Sequence, residues 1–215
     1  KYNINKAAEL YMKIIEELDD IGCREINKII LNGGILVWPS GGVYGLACDC
    51  YNRRAVARMY EIKKRDIGKP FSIIANYKTA DKFGWLTRKS KKIIYSLWPD
   101  FVGIIVKKKN SVPDFITSGA QTVGLVCSSE INVMLAEHIV KPLASTSANI
   151  SGESEITDYS DALRKFNGIA DVIIAYKWNT NQLNTLAYFD ESDNVKIIRA
   201  GKYSETEIMN FLDKI

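Results

Sequence analysis

The chain has 215 residues, 47% of them hydrophobic, which is enough for one domain with a sizeable core and at most a short appendage. Its 29 Lys and Arg residues against 25 Asp and Glu give a net charge of +4, too small for a protein that wraps nucleic acid. No apolar run approaches the roughly 20 residues that cross a bilayer, so we expect no membrane span and no signal segment.

The four cysteines predict packed thiols. No C-x-x-C pair occurs among them, which are Cys23, Cys48, Cys50 and Cys127. The chain has a single histidine, so a zinc site would need an unusual ligand set. Reduced, buried thiols are typical of cytoplasmic proteins. We therefore expect a cytoplasmic protein with no protein-held metal.

Hydrophobic periodicity predicts helices that alternate with strands. Leu10, Ile14 and Leu18 predict a helix over residues 4–19, and a second helix over 25–31 ends at a Gly-Gly pair. Further helices are predicted over 53–64, 79–83, 91–97, 131–139 and 161–166, and after a capping box at 204–207. Strands are predicted over 35–38, 71–75, 102–106, 122–127, 142–146, 172–176, 185–189 and 195–198, with a Gly-rich turn over 39–46.

This alternation indicates an α/β fold around a twisted, mixed sheet. The chain contains no internal repeat, low-complexity tract or Pro-rich linker. We therefore predict one domain over residues 25–215, preceded by a helical extension over residues 1–24.

The run from Lys63 to Pro70 places three spaced cations, Lys63, Arg65 and Lys69, between a predicted helix and a predicted strand. Cations at a helix C-terminus complement the helix dipole, and spacing alone favours that ordinary role. However, the Lys-Pro pair fixes a lysine at the mouth of a buried strand, where open α/β sheets place ligands.

Three other segments could carry chemistry. Residues 145–152 read STSANISG, whose hydroxyls and amide suit phosphate oxygens but are equally typical of a turn. The Gly-rich segment 39–45 has neither the P-loop order nor a dinucleotide fingerprint. Arg199 follows a strand and is, by itself, an ordinary surface residue. His138 lies in a predicted helix, and no G-x-S-x-G elbow supports a serine triad.

Taken together and in this order, the segments resemble the motifs of the YrdC-like family. That family shows Pro-Thr-Asp/Glu-Thr-x-Tyr-Gly-Leu, Lys-x-Arg-x-x-x-Lys-Pro-Leu, Ser-Thr-Ser-Ala-Asn-x-Ser-Gly and a late Arg-x-Gly. The corresponding segments here are 39–46, 63–71, 145–152 and 199–201. The resemblance covers most of the chain and implies a twisted open mixed sheet with flanking helices and a basic concave face.

The resemblance also implies a nucleotidyltransferase, the threonylcarbamoyl-adenylate synthase. Such an enzyme joins ATP, bicarbonate and L-threonine, releases pyrophosphate, and serves threonylcarbamoyladenosine modification of tRNA. A downstream transferase then moves the threonylcarbamoyl group to tRNA, so weak or no direct tRNA binding is expected. Mg²⁺ is expected to arrive with ATP.

The resemblance assigns roles to individual residues. Lys63, Arg65 and Lys69 would be the catalytic cations. The residues expected to hold the nucleotide are Lys63, Arg65, Lys69, Ser145, Ser147, Asn149 and Arg199. The residues expected to hold the amino acid are Ser40, Tyr44 and Thr185.

The chain departs from the family pattern on the amino-acid side of the expected pocket. Ser40-Gly41-Gly42 replaces Thr-Asp/Glu-Thr, residues 184–186 read Asn-Thr-Leu in place of Ser-Thr-Val, and residues 123–128 lack the arginine of Gly-x-Arg-x-Pro. A substrate carboxylate without that arginine loses a bidentate partner.

Three hypotheses follow from these departures. The chain is a threonylcarbamoyl-adenylate synthase that holds threonine by other contacts, a carbamoyl-adenylate synthase for a different amine or amino acid, or a non-catalytic nucleotide- or RNA-binding relative.

Overall fold

One mixed sheet organises the residues described by this computed structural model, which are 12–176 and 182–214. Within them the strands are β1 Lys13–Ile15, β2 Leu36–Pro39, β3 Tyr44–Asp49, β4 Ser72–Ile74, β5 Val102–Lys107, β6 Thr122–Val126, β7 Leu143–Ser147, β8 Val172–Ile174, β9 Thr185–Phe189 and β10 Val195–Arg199. Their order across the sheet is β1-β8-β2-β3-β7-β4-β6-β5-β9-β10.

Helices flank the sheet. They are α1 Asp20–Leu31, α2 Arg53–Lys63, α3 Arg88–Leu97, α4 Asp114–Thr117, α5 Glu130–His138, α6 Tyr159–Phe166 and α7 Glu205–Asp213, with a short 3-10 helix at Ala80–Lys82. None of those in the described part of the chain is long and apolar enough to cross a membrane.

Short polar side chains set the starts of six of these helices by accepting hydrogen bonds from first-turn N–H groups. These caps are Asp19, Asn52, Thr87, Ser129, Asp158 and Ser204. The predicted capping box is confirmed, because Ser204 and Glu207 each accept from the other's backbone N–H.

The two faces of the sheet carry two hydrophobic cores. On one face, Leu36 packs in a cluster with Ile26 of α1 and Leu135 of α5. On the other face, Val37 belongs to a larger cluster that includes Met59 of α2 and residues of α3, α6 and α7. Helices α1 and α5 cover only part of their face, which leaves room for a depression over the middle of the sheet.

The α/β class and the mixed sheet are confirmed, and most predicted elements lie within a few residues of their expected bounds. The helix predicted over 4–19 is wrong for residues 12–19, and its first part lies outside the described residues. Within residues 12–19, β1 pairs in parallel with β8, and Ile15 is buried beside α1. The expected division between residues 24 and 25 falls inside α1.

Two further elements were not predicted. Residues 44–46 belong to β3 and not to a turn, and all six residues of β3 are buried, so the strand lacks the alternation that marks a half-exposed strand. The single turn of α4 was also missed, because four residues are too few to show a helical period.

Candidate active site

A row of small residues on neighbouring strands creates a depression in the sheet. Ser145 of β7 pairs with Ser72 of β4, and Ser72 pairs with Gly124 of β6. A β-carbon on Gly124 would lie 2.6 Å from Ser72 Oγ, so a larger residue would fill this space. The depression is on the same face as α1 and α5, because Ala47, which belongs to their cluster, pairs with Ser145.

The depression forms a cavity of about 370 Å³. It is lined by Trp38, Ser40, Val43, Arg65, Pro70, Phe71, Ser72, Ile105, Thr122, Gly124, Val126, Ser145, Thr146, Ser147, Glu155, Gln182, Leu183, Asn184, Leu186 and Arg199. Five of the expected site residues therefore line one cavity: Ser40, Arg65, Ser145, Ser147 and Arg199.

Arg65 lies at one side of the cavity, just after the end of α2. Its Nη1 donates to Thr146 Oγ1 at 3.2 Å and its Nη2 to the carbonyl oxygen of Pro70 at 3.0 Å. Its Nε donates to the carbonyl oxygen of Lys69 at 3.3 Å, and the guanidinium carbon lies 5.5 Å from the centre of the Phe71 ring. These contacts fix the direction of the guanidinium, and burial lowers its pKa from the usual value.

Arg199, at the end of β10, supplies the second lining guanidinium. Its Nε and Nη2 donate to the carbonyl oxygen of Asn184 at 3.2 and 3.1 Å. The side chain of Asn184 accepts from Ser128 Oγ at 2.9 Å, so the wall around Arg199 is tied to the turn before α5. Arg65 and Arg199 give the cavity positive charge suited to an anionic ligand.

Hydroxyl groups make up much of the remaining polar lining. Ser145 Oγ donates to the carbonyl oxygen of Ser72 at 3.4 Å, which is a long hydrogen bond. Ser147 Oγ donates to Asn149 Oδ1 at 2.5 Å. Serine hydroxyls rotate to suit an incoming oxygen at little cost, so this floor can both donate to and accept from a ligand.

Lys63, by contrast, is not part of the cavity lining. It is only 2% exposed, and its Nζ donates to the carbonyl oxygens of Ser147 and Asn149 and to Asn149 Oδ1. Burial, followed by the nearby charge of Arg65, lowers the pKa of Lys63 to about 8. Its expected direct contact with the nucleotide stays a prediction, as does that of Asn149, which is also absent from the lining.

Three more of the expected site residues lie outside the cavity lining. Lys69 is exposed, and its carbonyl oxygen accepts from Tyr60 and Arg65. Tyr44 is buried and its hydroxyl donates to the carbonyl oxygen of Tyr176. Thr185 is fully buried, and its hydroxyl holds the turn after β10 by donating to the carbonyl oxygen of Tyr203 at 2.7 Å. The amino-acid contacts expected of Tyr44 and Thr185 stay predictions.

The backbone conformation of the loop after β2 explains why it contains glycine at positions 41 and 42. Gly41 and Gly42 have φ values of +88° and +112°, which non-glycine residues rarely adopt. A β-carbon on Gly42 would lie 2.4 Å from the carbonyl oxygen of Gln182, and one on Gly41 would lie 2.9 Å from that of Ser128. The loss of the family's larger residues thus allows segment 182–184 to pack closely on this loop.

The missing arginine leaves an apolar patch in the cavity. Gly124 and Val126 both line it, two residues apart on β6, so Val126 occupies the place of the arginine in the pattern Gly-x-Arg-x-Pro. A β-carbon on Gly103 would lie 2.8 Å from Leu186 and 3.0 Å from Val126, so these two side chains flank the same glycine.

The lining residues that were not assigned to the site from sequence include Trp38, Ser72, Glu155 and Asn184. Ser72 and Trp38 became part of the site only through strand register, which sequence periodicity does not give. Asn184 could have been found, because it occupies the place of a serine in the family pattern.

Known proteins similar to the chain share its motifs and fold. The Sua5/YciO/YrdC family profile, described as "Telomere recombination", matches residues 28–201. The chain is 31% identical over 173 residues to the putative threonylcarbamoyl-AMP synthase of Methanocaldococcus jannaschii, covering 78% of this chain and 81% of that protein. It is 29% identical over 144 residues to the threonylcarbamoyl-AMP synthase of Buchnera aphidicola, covering 65% of this chain and 77% of that protein.

Among solved structures, P. abyssi Sua5 complexed with L-threonine superposes with a TM-score of 0.83 at 26% identity, covering 95% of this chain and 61% of the Sua5 chain. The chain therefore spans about three fifths of the length of Sua5. The profile match over most of the chain and the identity to the M. jannaschii protein confirm the resemblance seen in the motifs. The chain belongs to the Sua5/YciO/YrdC family.

Proposed function

We propose that the chain is a threonylcarbamoyl-adenylate synthase, which joins ATP, bicarbonate and L-threonine and releases pyrophosphate. The observation that carries the proposal is that Arg65 and Arg199 line the same cavity over a floor of serine hydroxyls. The names of the M. jannaschii and B. aphidicola relatives and the threonine complex of Sua5 support it.

The reaction has two steps that suit this lining. The amine of threonine attacks the carbon of bicarbonate, a C–N bond forms and water leaves, which gives a carbamate. A carbamate oxygen then attacks the α-phosphorus of ATP. The bond from that phosphorus to the bridging oxygen breaks, and the electron pair leaves with pyrophosphate. Negative charge builds on phosphoryl oxygens, so fixed cations and N–H donors stabilise the transition state more than a general base would.

In this reaction Arg65 and Arg199 would bind phosphoryl oxygens, and Ser145 and Ser147 would donate hydrogen bonds to them. The contacts of Arg65 with Thr146 and Pro70 hold its guanidinium before substrate arrives, and such preorganisation is the main source of electrostatic catalysis.

Mg²⁺ would enter as the ATP complex and neutralise charge on the phosphates. The described residues contain no group of three or more His, Cys, Asp and Glu side chains arranged to hold a metal ion. Glu155 is the carboxylate in the cavity lining, and its hard oxygens, like the neighbouring serine hydroxyls, suit Mg²⁺.

A downstream transferase would carry the threonylcarbamoyl group to tRNA, so this chain needs weak or no direct tRNA binding. We also propose a cytoplasmic location. The four cysteines are free and buried, which is compatible with a reducing compartment.

A second candidate function is carbamoyl-adenylate formation from another amine or amino acid. The observation that favours it is that two apolar side chains, Val126 and Leu186, line the cavity. Apolar groups favour a substrate with less charge at this point.

The experiment that separates the two candidates is pyrophosphate release from ATP, Mg²⁺ and bicarbonate with each common amino acid in turn. Release with threonine at the highest kcat/KM supports the first candidate. Release with another amino acid at higher kcat/KM supports the second. Absence of release with every amino acid while ATP binds would contradict the first candidate and would favour an amine outside this panel or a binding role.

A further inference from the structure

The ammonium group of Lys63 is completely engaged by the protein. It donates to the carbonyl oxygen of Ser147 at 2.5 Å, to that of Asn149 at 2.7 Å and to Asn149 Oδ1 at 3.3 Å. A lysine ammonium has three N–H donors, so these three acceptors use all of them. The side chain is also only 2% exposed and does not line the cavity.

We infer that Lys63 is a positioning residue that holds the loop after β7 in its binding conformation, and that it does not itself contact the reacting phosphate. This inference rests on the nucleotide role proposed above. To reach a phosphate, Nζ would have to leave the carbonyl oxygens of Ser147 and Asn149, and a buried acceptor left without its donor is costly.

The bonds around Lys63 show how it acts on the loop. Asn149 Oδ1, which accepts from Lys63, also accepts from the cavity-lining hydroxyl of Ser147 at 2.5 Å. Asn149 Nδ2 donates to the carbonyl oxygen of Glu153 at 2.7 Å. The carbonyl oxygen of Lys63 accepts from the backbone N–H of Ser151 at 2.9 Å. The end of α2 therefore fixes the loop through both the main chain and the side chain of one residue.

The charges near Lys63 fit a structural role. Burial lowers the pKa of Lys63 most, the charge of Arg65 lowers it further, and the carboxylate of Glu155 raises it. Lys165 makes a smaller contribution that lowers it. Arg65, two residues later, remains the cation of this segment that lines the cavity. The end of α2 thus supplies Lys63, which holds the loop after β7, and Arg65, which lines the cavity.

The test compares Lys63→Met with Lys64→Met, which removes the same charge from an exposed neighbouring residue. First, methyl NMR signals of Ala148 and Ile150 are recorded in ligand-free protein. Second, KM for ATP and kcat are measured by pyrophosphate release. Third, ATP affinity is measured for Lys63→Met, Asn149→Ala and the double variant. Lys63→Gln, which keeps two N–H donors, replaces the methionine variant if that variant does not fold.

A positioning role predicts that Lys63→Met shifts the loop methyl signals without ligand and raises KM for ATP about tenfold, as expected for lost buried hydrogen bonds. It predicts kcat within about threefold of the parent, because the phosphate-facing arginines remain. It also predicts that the double variant loses less affinity than the sum of the single losses. Lys64→Met should match the parent in all three measurements.

The inference is overturned if the loop signals of Lys63→Met stay at their parent positions while kcat falls about a hundredfold or more, as for a lost transition-state donor. Additive losses in the double variant would also overturn it. The NMR measurement needs no turnover. If the parent releases no pyrophosphate, the proposed function fails, and the loop signals and ATP affinities still decide the role of Lys63.

Discussion

Arg199 donates two hydrogen bonds to the carbonyl oxygen of Asn184, from Nε at 3.2 Å and from Nη2 at 3.1 Å. Both residues line the cavity, and the Asn184 side chain is itself held by Ser128. These bonds leave Nη1 free of any hydrogen bond to the described residues. A guanidinium held on one side and open on the other is suited to bind an anion that enters the cavity.

The first prediction concerns this guanidinium. Arg199→Met should lower kcat/KM for pyrophosphate release about a hundredfold or more, because a preorganised cation at the reacting phosphates is lost. The midpoint of thermal unfolding should change little, since the side chain is exposed and its hydrogen bonds are partly solvated. Lys196→Met removes the same charge from an exposed residue of the same strand and is the control. Equal losses in the two variants would refute a specific role.

The second prediction concerns the Gly-Gly loop. Gly42→Ala places a β-carbon 2.4 Å from the carbonyl oxygen of Gln182, whereas Gly152→Ala meets nothing within 4 Å. Both positions have positive φ, at +112° and +88°, so both variants lose about 1 kcal/mol to backbone strain. Gly42→Ala should cost a further 1–2 kcal/mol, roughly, because segment 182–184 must move. Urea unfolding measures the difference, and equal losses would show that this packing contributes nothing.

The third prediction concerns Tyr44. Its hydroxyl donates to the carbonyl oxygen of Tyr176, and burial raises its pKa to about 12. Unfolded Tyr44 loses its proton at the ordinary tyrosine pKa of about 10, whereas folded Tyr44 keeps it to higher pH. The contribution of Tyr44 to the free energy of unfolding is therefore complete below pH about 10. It is lost as pH rises towards 12. Tyr44→Phe should therefore cost about 1 kcal/mol at neutral pH and show a smaller loss of stability between these two pH values.

The same variant separates two roles for Tyr44. Because its hydroxyl is engaged and lies outside the cavity lining, KM for the amino acid should be unchanged in Tyr44→Phe. An increase of tenfold or more in that KM, at about the same stability cost, would favour the substrate contact that the family motif implies.

The fourth prediction concerns the cysteines. All four are buried, and burial raises the pKa of Cys50 and Cys127 to about 12 and that of Cys23 and Cys48 above the usual range. Since the thiolate is the reactive form, iodoacetamide at pH about 8 should leave the native protein unmodified and label all four sites in urea. Intact-mass measurement before and after unfolding reads the result. Rapid labelling of one native cysteine would show that its environment is more open than described.

The sequence correctly predicted the α/β class and the capping box at Ser204, and it named Arg65, Ser145 and Arg199, which line one cavity. These succeeded because helix caps are local and because the family motifs mark positions directly. The strand β3 was missed, since a strand buried on both faces shows no alternation.

The position of Lys63 could not be predicted from its motif. A lysine at a helix end usually faces solvent. Nζ of Lys63 instead reaches the carbonyl oxygens of Ser147 and Asn149, which are 84 and 86 residues away in sequence. Likewise, the role of Thr185 depends on the turn after β10, whose N–H groups at Gly201 and Tyr203 donate to its hydroxyl. Both positions depend on contacts between residues far apart in sequence.

The most direct measurement of the central claim is mass spectrometry of the product formed from ATP, Mg²⁺, L-threonine and ¹³C-bicarbonate. The proposed reaction predicts an adenylate with the mass of threonylcarbamoyl-AMP that carries the ¹³C label, together with an equal amount of pyrophosphate. Pyrophosphate release with an unlabelled adenylate, or an adenylate that forms without bicarbonate, would contradict the carbamate step and the account built on it.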